Sequence, residues 1–404
     1  MSGGIVQLVA VGAQDAYLTG KPEVSFYRST YKRYTHFAHT VERQLIQGTP
    51  SAGGISTIRF EKKGDLMSYV YLSARDGSGA HVPLLNWTSN IIDKVELLIG
   101  GQVIDMQDGY WMNNIEPVVG ATNTNQRLLP IYSTAGTPQS QGFNANSFQP
   151  LKFFFCKDWQ SALPLVAMQY HDVELRITWS SNLSLTAASG GTSLTPTKYT
   201  DLQYIVWTNF IYLDQGEREY FAKTPQDMLI TQVQRQIVPN APVMELAFAH
   251  PVKYLAFQSN SYALAYSQNA TNASYLQFKT QVNGSDIGES RSLIAWVDCN
   301  QYYHTPNGYA PYSGAVANVA IVPFCLDTSK LQPTGTLNFS RIDTYRLITP
   351  PNVTLQSIVN PSVQAGTLAT TLTALNMAST PYVYAVNYNI LRIQNGMGAL
   401  LYSS

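Results

Sequence analysis

The second half of this chain is a faint copy of its first, and a repeat of that kind limits the fold more than any single motif does. FFFCKDWQSALPLVAMQYHDVE, beginning at Phe153, lines up with VPFCLDTSKLQPTGTLNFSRID, beginning at Val322. Phe155, Cys156, Asp158 and Pro164 recur as Phe324, Cys325, Asp327 and Pro333, an offset of 169 (324 minus 155). Further on, YIVWTNFIYL from Tyr204 resembles YVYAVNYNIL from Tyr382 at an offset of 178 (382 minus 204), with Asn209 opposite Asn387. A unit repeated after roughly 170 residues has to close its own core twice. The expectation is two like domains in tandem, for which 404 residues is a comfortable length.

What each copy is made of follows from the period of its apolar residues. Few stretches repeat at helical spacing, whereas many short β-branched and aromatic runs are punctuated by Gly, Pro, Asn and Asp. Val173 to Trp179 alternates, and KVELLIGGQVID, from Lys94 to Asp105, sets Gly100 and Gly101 between two apolar runs as a hairpin turn. Further strands are expected over Ile55 to Phe60, Ser68 to Ser73, Leu151 to Cys156, Gln203 to Leu213 and Leu229 to Val238. Leu276 to Val282, Ser292 to Val297, Val319 to Phe324 and Tyr382 to Ile393 complete the set. The expected fold is therefore all-β, with two consecutive eight-stranded jelly-roll (β-sandwich) domains and few short helices, an arrangement that protects most strand edges. DQGEREYFA, from Asp214 to Ala222, has the acidic start of a helix, Pro225 blocks its continuation, and a second helix is expected around Leu8. This divides the chain into a segment 1–24, a first jelly roll 25–213, a linker with a short helix 214–225 and a second jelly roll 226–404. Stretches rich in Gly, Ser, Thr and Asn near 120–147, 180–200, 260–274 and 300–318 are expected to be long surface loops.

Charge narrows the function. Only 12% of residues are charged, against roughly 25% in an average soluble domain. Lys plus Arg equals Asp plus Glu, so the formal net charge is zero. The electrostatic term behind most phosphate-backbone binding is missing, and no direct nucleic-acid partner is expected. A neutral surface lacks the repulsion that holds copies apart, which suits a protein that packs against itself. The cysteines Cys156, Cys299 and Cys325 form no CxxC pair and are expected to be buried free thiols. The opening MSGGIVQLVAVGAQD has no basic start, and its apolar run from Ile5 to Ala13 falls far short of the roughly 20 residues of a bilayer span. A soluble chain made in the cytosol is the expectation.

The search for chemistry finds no anchor. His36 and His39 have a metal-ligand spacing, but an extended backbone sends them to opposite faces. His171, Asp172 and Glu174 resemble an acid/base group, although a solvated strand face explains them as well. Arg28, Lys32 and Arg33 interleave with Tyr27, Tyr31 and Tyr34, a pattern suited to stacking on bases, yet without a wider basic patch it reads as a polar interface. No GxSxG, GxxxxGK[ST] or HExxH motif is present, so neither an enzyme nor a cofactor is expected. Asn-x-Ser/Thr sequons stand at Asn86, Asn182, Asn269, Asn272, Asn283, Asn338 and Asn352, the candidate glycosylation sites of a chain rich in these residue types.

GGIVQLVAVGAQDAYLTGKPEVSFYRSTYKRYTHFA at the start resembles the N-terminus of major capsid proteins of nucleocytoplasmic large DNA viruses, especially those infecting algae and amoebae. IDKVELLIGGQVID, LPLVAMQYHDVELRI, FIYLDQGEREYFA and the C-terminal YAVNYNILRIQNGMGALLYSS extend the resemblance in family order over nearly the whole chain. The resemblance implies a double jelly roll that forms a homotrimer. Its six barrels make a pseudo-hexagonal capsomer that tiles an icosahedral shell around an internal membrane. It also implies that residues 1–24 lie on the shell's inner side, touching neighbouring capsomers, minor capsid proteins or the membrane. The implied location is the virion, after synthesis and assembly in the host cytoplasm. At 404 residues the chain is short for that family, which predicts modest outer loops and leaves a minor or paralogous capsid copy as an alternative. A carbohydrate-binding double jelly roll is the other, because fold alone does not fix function.

Scarcity of charge makes a measurable prediction. If copies of this chain associate, neutral Tyr and Asn side chains should dominate the contact, so the assembled mass should hold from low to high salt in light scattering. Dissociation by moderate salt would contradict that expectation.

Overall fold

The computed structural model describes residues 12–82, 84–85, 91–120, 145–146, 148–184, 199–238, 243–258, 277–292, 295–306, 319–348 and 382–402. The chain divides into two units, residues 1–36 and residues 37–404. In the first, the described residues form a single helical turn, Ala16–Thr19, in an otherwise irregular and exposed segment. The expected helix around Leu8 lies outside the described residues.

The second unit begins with eight principal strands, β1 (Phe37–Gln44), β2 (Ile55–Arg59), β3 (Leu66–Arg75), β4 (Ile92–Ile99), β5 (Gln102–Asp108), β6 (Gln149–Pro150), β7 (Val173–Trp179) and β8 (Gln203–Leu213). Eight more follow: β9 (Gln226–Ile237), β10 (Val243–Leu246), β11 (Pro251–Gln258), β12 (Gln277–Val282), β13 (Ser285–Ser292), β14 (Val319–Pro323), β15 (Tyr345–Ile348) and β16 (Tyr382–Gln394). All their pairings are antiparallel. In the first half β1, β8 and β3 lie side by side with β6 on the far edge of β3, and β2, β7, β4 and β5 form the facing sheet. Adding eight to each number gives the second half: β9, β16, β11 and β14 in one sheet, β10, β15, β12 and β13 in the other. These are two jelly rolls, each with the same strand order.

Local sequence explains the strands that form cleanly. β7 alternates buried and half-buried along its whole length, the pattern of a strand with one face on a core. Leu175 and Ile177 on that face, with Val95 and Leu97 of β4, are fully buried. The β4–β5 hairpin turns on Gly100 and Gly101, both at positive φ (57° and 82°), where a side chain would be strained. Trp179, 0% exposed, donates from Nε1 to Ser56 Oγ at 2.7 Å and packs 4.9 Å from Tyr204, tying the two sheets of the first half together. The helix Gln215–Lys223 follows β8, capped by Asp214 Oδ1 on the Gln215 amide and braced by Lys223 with Glu219 at 2.9 Å.

Two expected strands are something else. Within Leu151 to Cys156 the chain leaves β6 and enters a helical turn, Phe154–Lys157, whose Phe154 and Phe155 plug the core. Ser292 to Val297 contains the end of β13 and the start of a π-helical turn, Ala295–Cys299. Both were apolar runs, and apolar runs of that length do not distinguish strand from buried turn. The repeat itself is sound, but its register shifts. Tyr71 pairs with Pro150 as Tyr254 pairs with Pro323, which sets the offset at that strand to 173 (323 minus 150) and not 169. Asn209 and Asn387 are both 0% exposed and each lies at a register shift, but Asn209 is skipped within β8 whereas Asn387 pairs with Val252 and the skipped residue is Lys253 of β11.

Trp179→Ala should cost about 3–5 kcal/mol of unfolding free energy, seen as a lowered urea midpoint, because it opens a cavity in the core and removes the donor to Ser56 Oγ.

Candidate assembly interface

The two jelly rolls meet along one face, and the sequence of that face dictates the contact. In the sheet β9-β16-β11-β14, Leu255, Phe257, Val322 and Ala385 point into the core of the second jelly roll. The alternate residues Tyr254, Ala256, Ile321, Tyr384 and Val386 point outward and join the core cluster of the first. Alternation along a strand makes both faces apolar here, so both must be covered. The cover comes from β5 and from the turn that follows it, a π-helical stretch Trp111–Ile115 running into Glu116–Val119. Trp111 lies 5.4 Å from the Tyr384 ring, and Tyr110 stacks on the same ring at 6.1 Å.

Polar groups fix the register of that contact. Asp108, buried, accepts from the Tyr384 hydroxyl at 2.7 Å, from Arg235 Nη1 at 2.8 Å and from the Trp111 amide at 2.7 Å. β9 is an edge strand, and Asp105 Oδ1 caps its Val233 amide at 2.9 Å while the Gln232 side chain donates to the Ile104 carbonyl. Along β9, Gln234 bonds to both backbone groups of Ala249 and to Asn387, Gln236 to the Glu245 carbonyl and the Ala247 amide, and Gln232 to Asn389. Thr328 Oγ1 donates to the Val119 carbonyl at 2.7 Å. Little in the residue pattern announces this set, apart from the two aspartates interrupting the apolar run of QVIDMQD.

The residues singled out by sequence distribute as follows. His171 makes no acid/base group: its Nδ1 lies 2.9 Å from the Gly398 carbonyl, linking the first jelly roll to the C-terminal strand Met397–Leu400. Asp172 pairs with Arg59 and with Lys62, and Glu174 stands half-exposed on β7, so the three make no shared site. His36 falls in the N-terminal unit, whereas His39 is on β1, 6.4 Å from the ring of Trp159. Tyr27, Tyr31 and Tyr34 are exposed in the N-terminal unit, as are Arg28, Lys32 and Arg33. Among the described residues no group of three or more His, Cys, Asp or Glu could hold a metal, and no helix is long and apolar enough to cross a membrane. The three thiols are free, but Cys299 is exposed, contrary to the expectation of burial, because it ends a turn on the surface. Of the sequons, Asn86, Asn269, Asn272 and Asn352 lie outside the described residues. Asn182, Asn283 and Asn338 are exposed. The Asn283 side chain accepts from the Asp343 and Thr344 amides and Asn338 caps Ser340.

Two concavities flank the contact. One, of about 170 Å³, is lined by Lys152, Lys253, Glu116, Thr328 and Tyr388 at the junction of the jelly rolls. Burial and nearby Lys157 push the Lys253 ammonium down to about 8, while its proton donor reaches the Thr328 carbonyl at 3.1 Å. The other, of about 620 Å³, opens on the outer face of β3 and β8, where Tyr69, Tyr71, Phe148 and Trp207 form an aromatic platform. Tyr71 stacks at 6.4 Å on both Tyr69 and Trp207, and Trp207 Nε1 donates to Ser73 Oγ at 2.9 Å.

Comparison with known proteins agrees with this architecture. Residues 25–214 match the family model described as major capsid protein N-terminus, and residues 217–399 match that of the large eukaryotic DNA virus major capsid protein. The chain is 30% identical to the major capsid protein of Paramecium bursaria Chlorella virus 1 and 30% identical to that of Pyramimonas orientalis virus, in each case over 100% of both chains. Its fold superposes on a chain of the quasi-atomic PBCV-1 virus capsid with a TM-score of 0.70 at 26% identity, covering 94% of this chain and 100% of that one. The Faustovirus major capsid protein shares the fold at a TM-score of 0.57 and 11% identity, covering 95% and 94%.

Asp105 gives the contact a pH dependence. Burial pushes its carboxyl up to about 6, and the Val233 amide and Gln107 only partly offset that. With the folded value above the unfolded one of about 3.9, the folded protein holds the extra proton, so its stabilising effect is complete below about pH 4 and lost as pH rises through about 6. Thermal melts should therefore show stability falling across that window, by about 3 kcal/mol at most, and Asp105→Asn should flatten the fall.

Proposed function

Because the chain belongs to the large eukaryotic DNA virus major capsid protein family, we propose that it forms a homotrimer whose six barrels make a pseudo-hexagonal capsomer. Its role is that of a structural protein of the virion and not of an enzyme. Capsomers of this kind would tile an icosahedral shell around an internal membrane. The observation that carries the reading is the identity of strand order in the two halves, since three copies of a two-barrel chain supply near-sixfold packing from threefold symmetry.

The division proposed for the chain is 1–24 as an inner-face segment, 25–213 and 226–404 as the jelly rolls, and 214–225 as the linker carrying a helix. The inner-face segment is proposed to meet neighbouring capsomers, minor capsid proteins or the internal membrane. Supporting that role, Tyr17 and Leu18 are 92% and 86% exposed, an apolar surface that a partner would cover. Synthesis and assembly in the host cytoplasm, without direct nucleic-acid contact, complete the proposal. Among the described sequons, Asn182 is the proposed acceptor best suited to a glycan, since the Asn283 and Asn338 side chains are engaged with backbone amides.

The full chain expressed alone should run at the mass of three copies in light scattering and show hexagonal outlines by electron microscopy. A strictly monomeric protein at high concentration would overturn the trimer.

A further inference from the structure

We propose that the cavity of about 170 Å³ where the two jelly rolls meet is a binding site for hydrogenphosphate, the doubly charged form of inorganic phosphate that still carries one proton. Its walls come from both halves: the turn after β5, the helical turn Phe154–Lys157, β11, β16 and residues 328–331. Four lysines line it, Lys152, Lys157, Lys253 and Lys330, against two carboxylates, Glu116 and Asp158. That is a formal balance of plus two (four minus two) in a chain whose total is zero. Lys157, Asp158 and Lys330 stand exposed at the rim, whereas Glu116, Lys253 and Tyr388 are 2%, 3% and 6% exposed and form the inner wall.

The inner wall holds polar atoms that the protein itself does not satisfy. Among the described residues, the Tyr388 hydroxyl and Glu116 Oε2 are buried and have no hydrogen-bond partner. Glu116 Oε2 forms an ion pair with Lys152 Nζ, but at 3.6 Å, too long for a hydrogen bond. Lys253 uses one of its three protons on the Thr328 carbonyl at 3.1 Å, and its Nζ lies 5.0 Å from the centre of the Tyr388 ring. Burial and Lys157 both act against that ammonium, so a negative charge set between the two lysines stabilises both. A buried hydroxyl and a buried carboxylate oxygen left unpaired each cost free energy that a ligand with the right atoms recovers.

The kinds of atom decide which ligand. Tyr388, Lys253 and Lys157 offer donors, so they require ligand oxygens with lone pairs and negative charge. Glu116 Oε2 can only accept, so it requires a ligand proton in the same small space. A tetrahedral oxyanion with three bare oxygens and one hydroxyl meets both demands, and its charge of minus two cancels the plus two of the lining. Sulfate has the same shape and charge but no proton near neutral pH, so it sets a bare oxygen against the Glu116 carboxylate. In a doubly charged phosphate monoester one oxygen carries carbon and the other three are bare, which again leaves Glu116 unanswered. The site therefore separates inorganic phosphate from both.

Titration calorimetry on the full-length protein, at neutral pH in sodium chloride, should show one saturable phosphate site per chain. Sulfate and methyl phosphate should bind about tenfold more weakly or worse, the weight of one charged hydrogen bond. Calorimetry is the better readout because sulfate and phosphate both raise melting temperatures through exclusion from protein surfaces. Glu116→Gln, whose side chain can donate as well as accept, should erase the preference for phosphate over sulfate. Tyr388→Phe removes a hydroxyl that the protein does not pair, so it should keep the wild-type melting temperature in chloride and lose about tenfold in phosphate affinity. If Glu116→Gln fails to fold, Tyr388→Phe and the three anions on the wild type carry the test. Sulfate or methyl phosphate binding the wild type as tightly as phosphate overturns the inference, because a basic rim alone would then be attracting anions. A folded Tyr388→Phe protein with unchanged phosphate affinity overturns it too. So does a wild type with no saturable phosphate signal by calorimetry or phosphorus NMR, which leaves the cavity to water.

Discussion

A sheet that is apolar on both faces cannot face water on either, and the sheet β9-β16-β11-β14 is such a sheet. One side closes the second jelly roll's own core. The other is closed by the first jelly roll, so the two barrels are stages of one burial and not beads on a string. The linker helix is amphipathic only weakly and carries no buried residue, which leaves the sheet face to hold the halves together. Asp108, reached by a hydroxyl, a guanidinium and an amide, converts that apolar contact into a single register, because a buried carboxylate is tolerated only where its partners sit.

Much of this was legible in the sequence where one physical signal dominated. Val173 to Trp179 and Gln203 to Leu213 were read with the bounds the structure gives, since β7 alternates and β8 is a long β-branched and aromatic run. The hairpin at Gly100 and Gly101 was legible because few other residues accept both positive φ values. β1 and β13 escape the pattern because FAHTVERQ and SDIGESRS are polar edge strands with little burial, and the short apolar runs of β10, β11 and β15 escape it too, since runs of that length do not announce a strand. The interface was the least legible part. Tyr254 and Tyr384 read as ordinary strand aromatics, and only the neighbouring half shows that they face a second core. The exposed Cys299 was misjudged because a thiol carries no period from which a surface turn can be inferred.

Charge scarcity and structure fit together. Most of the ion pairs sit on solvated surfaces, such as Arg392 with Asp227 and Arg346 with Glu245, where such pairs contribute little. Cohesion comes from burial and from neutral hydrogen bonds, in keeping with a chain whose positive and negative residues cancel. A protein of this composition meets its own kind without long-range repulsion and has to choose its contacts by shape.

The glutamine row on β9 has a consequence of its own. Gln232, Gln234 and Gln236 stitch the edge of the second jelly roll to Asn387, Asn389 and the backbone of residues 245–249. A carboxamide neither gains nor loses a proton over the range in which water itself is mild, and it attracts no counterions to be exchanged. Stitches of that kind are indifferent to the medium, so this edge of the second jelly roll should hold its pairing from brine to mild acid. What pH can reach is the join beyond it, where Asp105 caps Val233.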